Sequence, residues 1–345
     1  MNFWERSVSF FFDRAMSGAI WFAQVLDVGG VVMQSRNCVV LCVLLAASLP
    51  CFAGSSCKVN VVFAHSPKAA GNFARVLEKA EAGDSASEFQ AGLAYETGTG
   101  TEQDFSTAAK WYQRAADRGN ADAQNNLGGM YLRGLGVEQS DSEAMRWYLR
   151  AAGEGQLGAE TNVGFMYASG RGRAQSDEEA VRWYRKAAEK GYAPAQANLG
   201  FMYSAGRGVR MDGNEALRWY HKATAHGYAP AEYKLGLLYY RGWAVAQDVS
   251  EALRWFHKAA QHGSAAAENE IGNAYEHGQG VRQNFDEAER WYGIAAEHGL
   301  PEARHNVEVM RAVRAGNTPR IAAASDQGAS SLEGSSSVEP ASSVY

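Results

Sequence analysis

Apolar and small residues fall into helical registers along most of this chain, and the registers come in pairs. In residues 121–156, Leu127, Gly128 and Tyr131 stand at i, i+1 and i+4, one face of a 3.6-residue period. After a polar, glycine-bearing gap, Ala144, Trp147, Tyr148 and Ala151 stand at i, i+3, i+4 and i+7, again one face. The pattern then recurs with a 36-residue step. Trp111, Trp147, Trp183, Trp219, Trp255 and Trp291 follow it, as do the series Gly92 to Gly272 and Tyr95 to Tyr275. A fixed period of this size marks a solenoid, because one helix pair cannot enclose its own apolar face and must stack on the next.

Helix ends are written into each unit. Asp104, Ser140, Ser176, Asp212, Asp248 and Asn284 occupy the N-cap position of the second helix, where a side-chain oxygen accepts from an orphan backbone N–H. Three residues on, Glu143, Glu179, Glu215, Glu251 and Glu287 complete a capping-box pattern in five of the six units, Thr107 standing in the other. Gly119 to Gly299 end the second helices and Gly98 to Gly278 the first, each in the place of a left-handed C′ residue. The mid-helix Gly92 to Gly272 series costs about 1 kcal/mol per position against Ala. Its expected compensation is a close neighbouring helix, with Ala108, Ala115 and their counterparts opposite.

The pattern A-x-x-x-L-G-x-x-Y-x-x-G-x-G-V, then A-x-x-W-Y-x-x-A-A-x-x-G, resembles the Sel-1-like repeat, a relative of the tetratricopeptide repeat with two more residues per unit. The resemblance spans about residues 85–300. It implies an α/α superhelix acting as a protein–protein adaptor. Ala244 departs from the pattern at the second loop glycine, and Thr224 at one helical Ala. The expected fold is all-α: a right-handed α/α solenoid of thirteen or fourteen antiparallel helices. Its units are 85–120, 121–156, 157–192, 193–228, 229–264 and 265–300. A half-repeat from Asn72 caps one end, and Pro301–Arg314 the other.

Outside the repeats the hydropathy pattern changes. Residues 33–53 read as a secretory signal: Arg36, an apolar core of about 12 residues, and an A-x-A-like end at Ala53. That core is short against the roughly 20 residues of a membrane helix, so no membrane span is expected after its removal. Residues 1–32 then read as an extension upstream of a working start at Met33. A mature N-terminus near Gly54, found by sequencing the native protein, is the measurable consequence. The expected location is periplasmic or secreted. Residues 54–71 read as a spacer and 316–345 as a Ser-, Ala- and Gly-rich disordered tail. All four cysteines lie before the repeats, and only Cys57 outlasts cleavage at Ala53, so the units rely on packing.

With Leu127, Gly128 and Tyr131 turned inward, position 126 and position 129 face the inner side of the superhelix. The first column reads Gln90, Asn126, Asn162, Asn198, Lys234, Glu270, Asn306. The second contains Phe165, Phe201 and Leu237. Asparagine carries donor and acceptor together and suits the backbone of an extended peptide, with the Phe and Leu side chains as apolar anchors. The candidate partner-binding residues are therefore Asn126, Asn162, Asn198, Lys234, Phe165, Phe201 and Leu237. The plainer alternative has the Asn residues solvating this face and the Phe residues packed between units.

On the second helices Lys110, Arg146, Arg182, Arg218, Arg254 and Arg290 form a basic stripe. Glutamates three residues earlier make it a self-paired, solvated face. His226, His262 and His298 precede the terminal glycines, where a helix dipole favours them, and no carboxylate or thiolate completes a metal set. No nucleophile pattern, phosphate loop or cofactor signature occurs. A net charge of −5 gives no bulk attraction to nucleic acid. The reading is a non-enzymatic adaptor for a protein or peptide. Its alternative is a cell-wall enzyme or a glycan- or penicillin-binding protein, as resemblance to cysteine-rich secreted relatives would imply, although their paired repeat cysteines are absent. Covalent β-lactam labelling separates the two.

Overall fold

The structure is a computed structural model that describes residues 25–28, 31–34 and 67–315. The chain divides into two units, 1–62 and 63–345. In the first, β1 (Val25–Val28) and β2 (Val31–Gln34) pair antiparallel, with Val25 opposite Gln34 and Val28 opposite Val31. The sequence reading assigned no strand there. The segments are valine-rich, and β-branched side chains favour extended backbone. Apart from these strands, the expected upstream extension and signal (1–53) lie outside the described residues, as does the tail 316–345.

The second unit holds fourteen helices among the described residues. They are α1 (Pro67–Glu81), α2 (Ser85–Thr97), α3 (Phe105–Asp117), α4 (Ala121–Arg133), α5 (Asp141–Gly153), α6 (Leu157–Ser169) and α7 (Asp177–Glu189). They continue with α8 (Ala193–Ala205), α9 (Gly213–Thr224), α10 (Ala229–Arg241), α11 (Val249–Gln261), α12 (Ala265–His277), α13 (Phe285–Glu297) and α14 (Pro301–Arg314). Each even-numbered helix from α2 to α12 pairs with the odd-numbered helix after it, and the pairs stack in chain order as an α/α solenoid. The first half-unit is longer than expected. Its helix starts at Pro67, not Asn72, so 67–71 is helix and not spacer; proline is preorganised for the first helical turn, and Gly71 does not stop it.

The expected caps form. Asp104, Ser140, Ser176, Asp212, Asp248 and Asn284 each accept from a backbone N–H two or three residues on. The first helices start either on a polar side chain, as at Asp84 and Asn120, or on a proline, as at Pro194 and Pro230. Helix α9 stops at Thr224, whose hydroxyl donates to the carbonyl of His221 at 2.9 Å.

The core is a chain of similar clusters. Tyr112, Leu127, Met130 and Trp147 share one, and Tyr184, Leu199, Met202 and Trp219 another, so each tryptophan packs on the unit before its own. Burying such a ring contributes about 2–3 kcal/mol. The mid-helix glycines have a different partner from the alanines expected. A Cβ at Gly164 would lie 2.7 Å from the ring of Tyr184, and one at Gly92 2.6 Å from Tyr112. In each of the six repeats the first helix gives up a side chain so that its own repeat's aromatic ring approaches its backbone closely.

Candidate functional site

Positions 126 and 129 of the first helices were the sequence's candidates. The structure places the asparagines in the seam between successive first helices: Asn126, Asn162 and Asn198 are only 6, 3 and 7% exposed. This corrects the expectation that their amides stand clear of helix packing. Successive first helices lie close enough that position 126 meets position 125 of the neighbouring unit. Asn162 Nδ2 donates to Asn125 Oδ1 at 3.0 Å, and Asn306 does the same to Asn269 at 2.9 Å. The bonds continue as a relay: Asn125 Nδ2 donates to Asn126 Oδ1 and Asn126 Nδ2 to the Tyr112 hydroxyl, each at 3.3 Å. Tyr112 in turn donates to Glu96 at 2.6 Å, and Arg133 approaches the other oxygen of that carboxylate at 3.5 Å. Three units are thus joined by one buried polar chain, satisfied along its length.

The apolar candidates are more open. Phe165 and Phe201 are half-buried, with one side against the cores of their units. Leu237 is buried in the next cluster. Lys234 is half-buried, its ammonium 5.9 Å from the centre of the Tyr233 ring. Burial pushes the Glu270 carboxyl upward, partly opposed by Arg241. Phe165 and Phe201 therefore share one face one unit apart, while the asparagines fix the spacing of the helices beneath.

The second helices keep a charged outer face. Arg146, Arg182, Arg218, Arg254 and Arg290 each pair with the glutamate three residues earlier. One turn on, Arg114, Arg150, Lys186, Lys222 and Lys258 lie over the tryptophan rings at 4.0–4.9 Å. His221 and His257 meet Trp255 and Trp291 edge-on, and burial lowers both imidazole pKa values.

Sequence reading missed a buried acidic column. Glu88, Glu160, Glu232 and Glu268 are at most 2% exposed, near the start of their first helices. Each pairs with the residue 30 positions on, at the end of the second helix: Arg118 at 3.2 Å, Lys190 at 2.9 Å, His262 at 2.7 Å and His298 at 2.8 Å. Gln124 and Gln196 take the acid's place in the other two units and donate to Ala116 and Ala188 carbonyls instead. The signal was present in the sequence, since Gln124 falls in the unit whose partner position is Glu154. Two histidines assigned to a helix dipole are thus also within hydrogen-bond distance of buried carboxylates. Among the described residues, no group of three or more His, Cys, Asp or Glu side chains is placed to hold a metal ion, and no helix is long and apolar enough to cross a membrane.

The Sel1 repeat profile matches six stretches: 85–120, 121–156, 158–192, 193–228, 229–264 and 265–300. Solved structures similar to this chain include two with about one third sequence identity. A protective antigen present in uropathogenic Escherichia coli strains, with an SLR fold, is 33% identical over 68% of this chain, with a TM-score of 0.57. The match spans 50% of that antigen's length. A Sel1 repeat protein from Oxalobacter formigenes is 32% identical over 66% of this chain and 99% of its own, with a TM-score of 0.59. No protein with a curated description matches the sequence.

Proposed function

This chain belongs to the Sel1 repeat family, and we propose that its solenoid holds an extended segment of a partner protein along the face of the first helices. Sel1 repeat proteins are generally protein-interaction scaffolds. The observation that carries the proposal is the half-exposed pair Phe165 and Phe201, set one unit apart between fully buried neighbours such as Val163, Met166, Leu199 and Met202. Regularly spaced aromatic side chains suit an extended polypeptide, which offers a side chain and a backbone pair at regular intervals. Phe165 and Phe201 act as anchors, and Asn126, Asn162 and Asn198 hold the seam that sets their spacing.

The test is photo-cross-linking from position 201 and, on the outer face, from position 218, followed by binding measurements with the captured partner. Phe165→Ala combined with Phe201→Ala is expected to weaken binding at least tenfold, in line with about 2 kcal/mol for a hot spot. Arg182→Ala with Arg218→Ala is expected to change it little. Circular dichroism melts check that the Phe variant stays folded. Binding lost with the arginine pair and kept with the phenylalanine pair would place the partner on the outer face and sink the proposal.

A further inference from the structure

We propose that the cleft between α5 and the loop joining α6 to α7 is a second docking site. Its occupant is an acidic segment of a partner protein in which carboxylates flank one apolar side chain. The cleft exists because the third unit breaks the period. Four of the six units carry valine in the loop after the first helix, and Val137, Val209 and Val281 pack on the clusters that contain Ala109, Val181 and Leu253 of the preceding unit. In the third unit that place is taken by Arg173, which is exposed. No valine covers this stretch of α5, and half-buried Leu149, with buried Met145 beneath it, lines an open cleft of about 620 Å³. That volume falls within the roughly 300–1,000 Å³ of ligand sites.

Three guanidinium groups, Arg146, Arg150 and Arg173, stand around this cleft. Arg146 is paired with Glu143. Arg150 lies over the Trp147 ring at 4.7 Å, which fixes its direction. Among the described residues, neither Arg150 nor Arg173 pairs with a carboxylate. The loop carrying Arg173 is clamped: Arg171 donates to both oxygens of Asp141, at 3.0 and 2.6 Å, and to the Leu132 carbonyl at 3.1 Å. Two unpaired guanidinium groups on a fixed frame match carboxylates in bidentate geometry. The apolar floor between them selects an apolar side chain and disfavours a purely acidic run. This site shares no residue with the Phe165–Phe201 face, and it stands or falls independently of that face.

The test is selection of random dodecapeptides displayed on phage against the full chain. Peptides with Asp or Glu on both sides of an apolar residue are expected to be enriched. A synthetic copy of the enriched peptide is expected to bind Arg173→Val at least tenfold more weakly, and Arg210→Gln as tightly as the parent. Arg173→Val installs the residue that four other units carry, so its melting temperature is expected to be no lower than the parent's, which separates lost binding from lost folding. Equal binding to Arg173→Val, no enrichment of acid-flanked peptides, or Arg173-dependent binding of phosphatidylglycerol vesicles in their place would each overturn the proposal. Enriched peptides lost with Phe165→Ala and Phe201→Ala but kept by Arg173→Val belong to the inner face; they count against this cleft while supporting the other site.

Discussion

Gln103, Gln139, Gln247 and Gln283 stand one period or more apart, and each donates from Nε2 to a carbonyl at the end of its first helix. The acceptors are Glu96, Leu132, Tyr240 and Glu276, at 2.7–3.1 Å. The side chain closes the loop by satisfying a C-terminal carbonyl that has no partner within its helix. In the fourth unit that position is Met211, 61% exposed and unable to donate. Met211→Gln is expected to raise stability by roughly 0.5–1.5 kcal/mol, the net value of one intramolecular hydrogen bond. The readout is a higher urea midpoint with an unchanged slope; a midpoint that stays put or falls rules out the capping role. The same reading explains Ala244, which adopts φ 63 where other units have glycine. Opposite it stands Gly213, where any added Cβ would run into the Ala244 methyl, so bulk at one position is offset by its absence at the other.

At the scale of the element, the informative helix is the last. Helix α14 has the register of a first helix, and no second helix follows it among the described residues. At the place where other units have the mid-helix glycine it carries Glu308, exposed. A side chain there leaves no room for an aromatic ring laid on the backbone, so the helix is built to end the stack. It is fastened by charge: Arg311 and Arg314 both bond Glu289, at 3.0 and 2.6 Å, and Arg314 also reaches Asp286 at 2.9 Å. Arg314, then Arg311, hold the Glu289 carboxyl below the ordinary glutamate range. A depressed carboxylate contributes stability that is present in full above its unfolded pKa, about 4.3, and is lost as pH falls through the folded value. Glu289→Gln is therefore expected to melt lower than the parent at neutral pH, by a small margin because the pair is largely solvated. The gap is expected to close on acidification toward about pH 2. A gap independent of pH would assign the effect to packing.

For the whole solenoid, one question is what keeps near-identical units in order. The start of each second helix faces the first loop of the next unit, and the facing pairs differ along the stack. Phe105 and Leu135 pack on the same apolar cluster. Asp141 faces Arg171, and Asp177 faces Arg207 with two bonds at 3.0 and 2.6 Å. Gly213 faces Trp243 and Ala244. These seams predict unequal deletions. Removing 157–192 brings Arg207, Gly208 and Val209 against α5, so Asp141 regains an arginine and Met145 a valine. Removing 193–228 brings Trp243 and Ala244 against Asp177, where a Cβ in place of Gly208 would overlap the main chain. The first deletion is expected to leave a cooperative fold with the higher melting temperature of the two. Equal melting temperatures would show that the seams do not discriminate between units.

The two helices of each repeat and their caps followed from the sequence alone, with thirteen or fourteen helices expected, because those signals act within three or four residues. An aspartate bonds the N–H three positions on whatever lies around it, and a glycine takes the left-handed conformation that ends a helix without help from elsewhere. The start of α1 lies upstream of the expected Asn72, because the repeat pattern gives no N-cap for this half-unit and Pro67 opens the helix instead. The seams were decided only in three dimensions. Asn125 meets Asn162, Glu232 meets His262, and Leu149 lines a cleft beside Arg173, each across some 24 to 37 residues. Helical periodicity gives the side of its own helix on which a residue lies. Whether that side meets a neighbour or solvent depends on how closely the next helix approaches, and here the glycine–aromatic contacts and the packing of each tryptophan on the preceding unit set that distance.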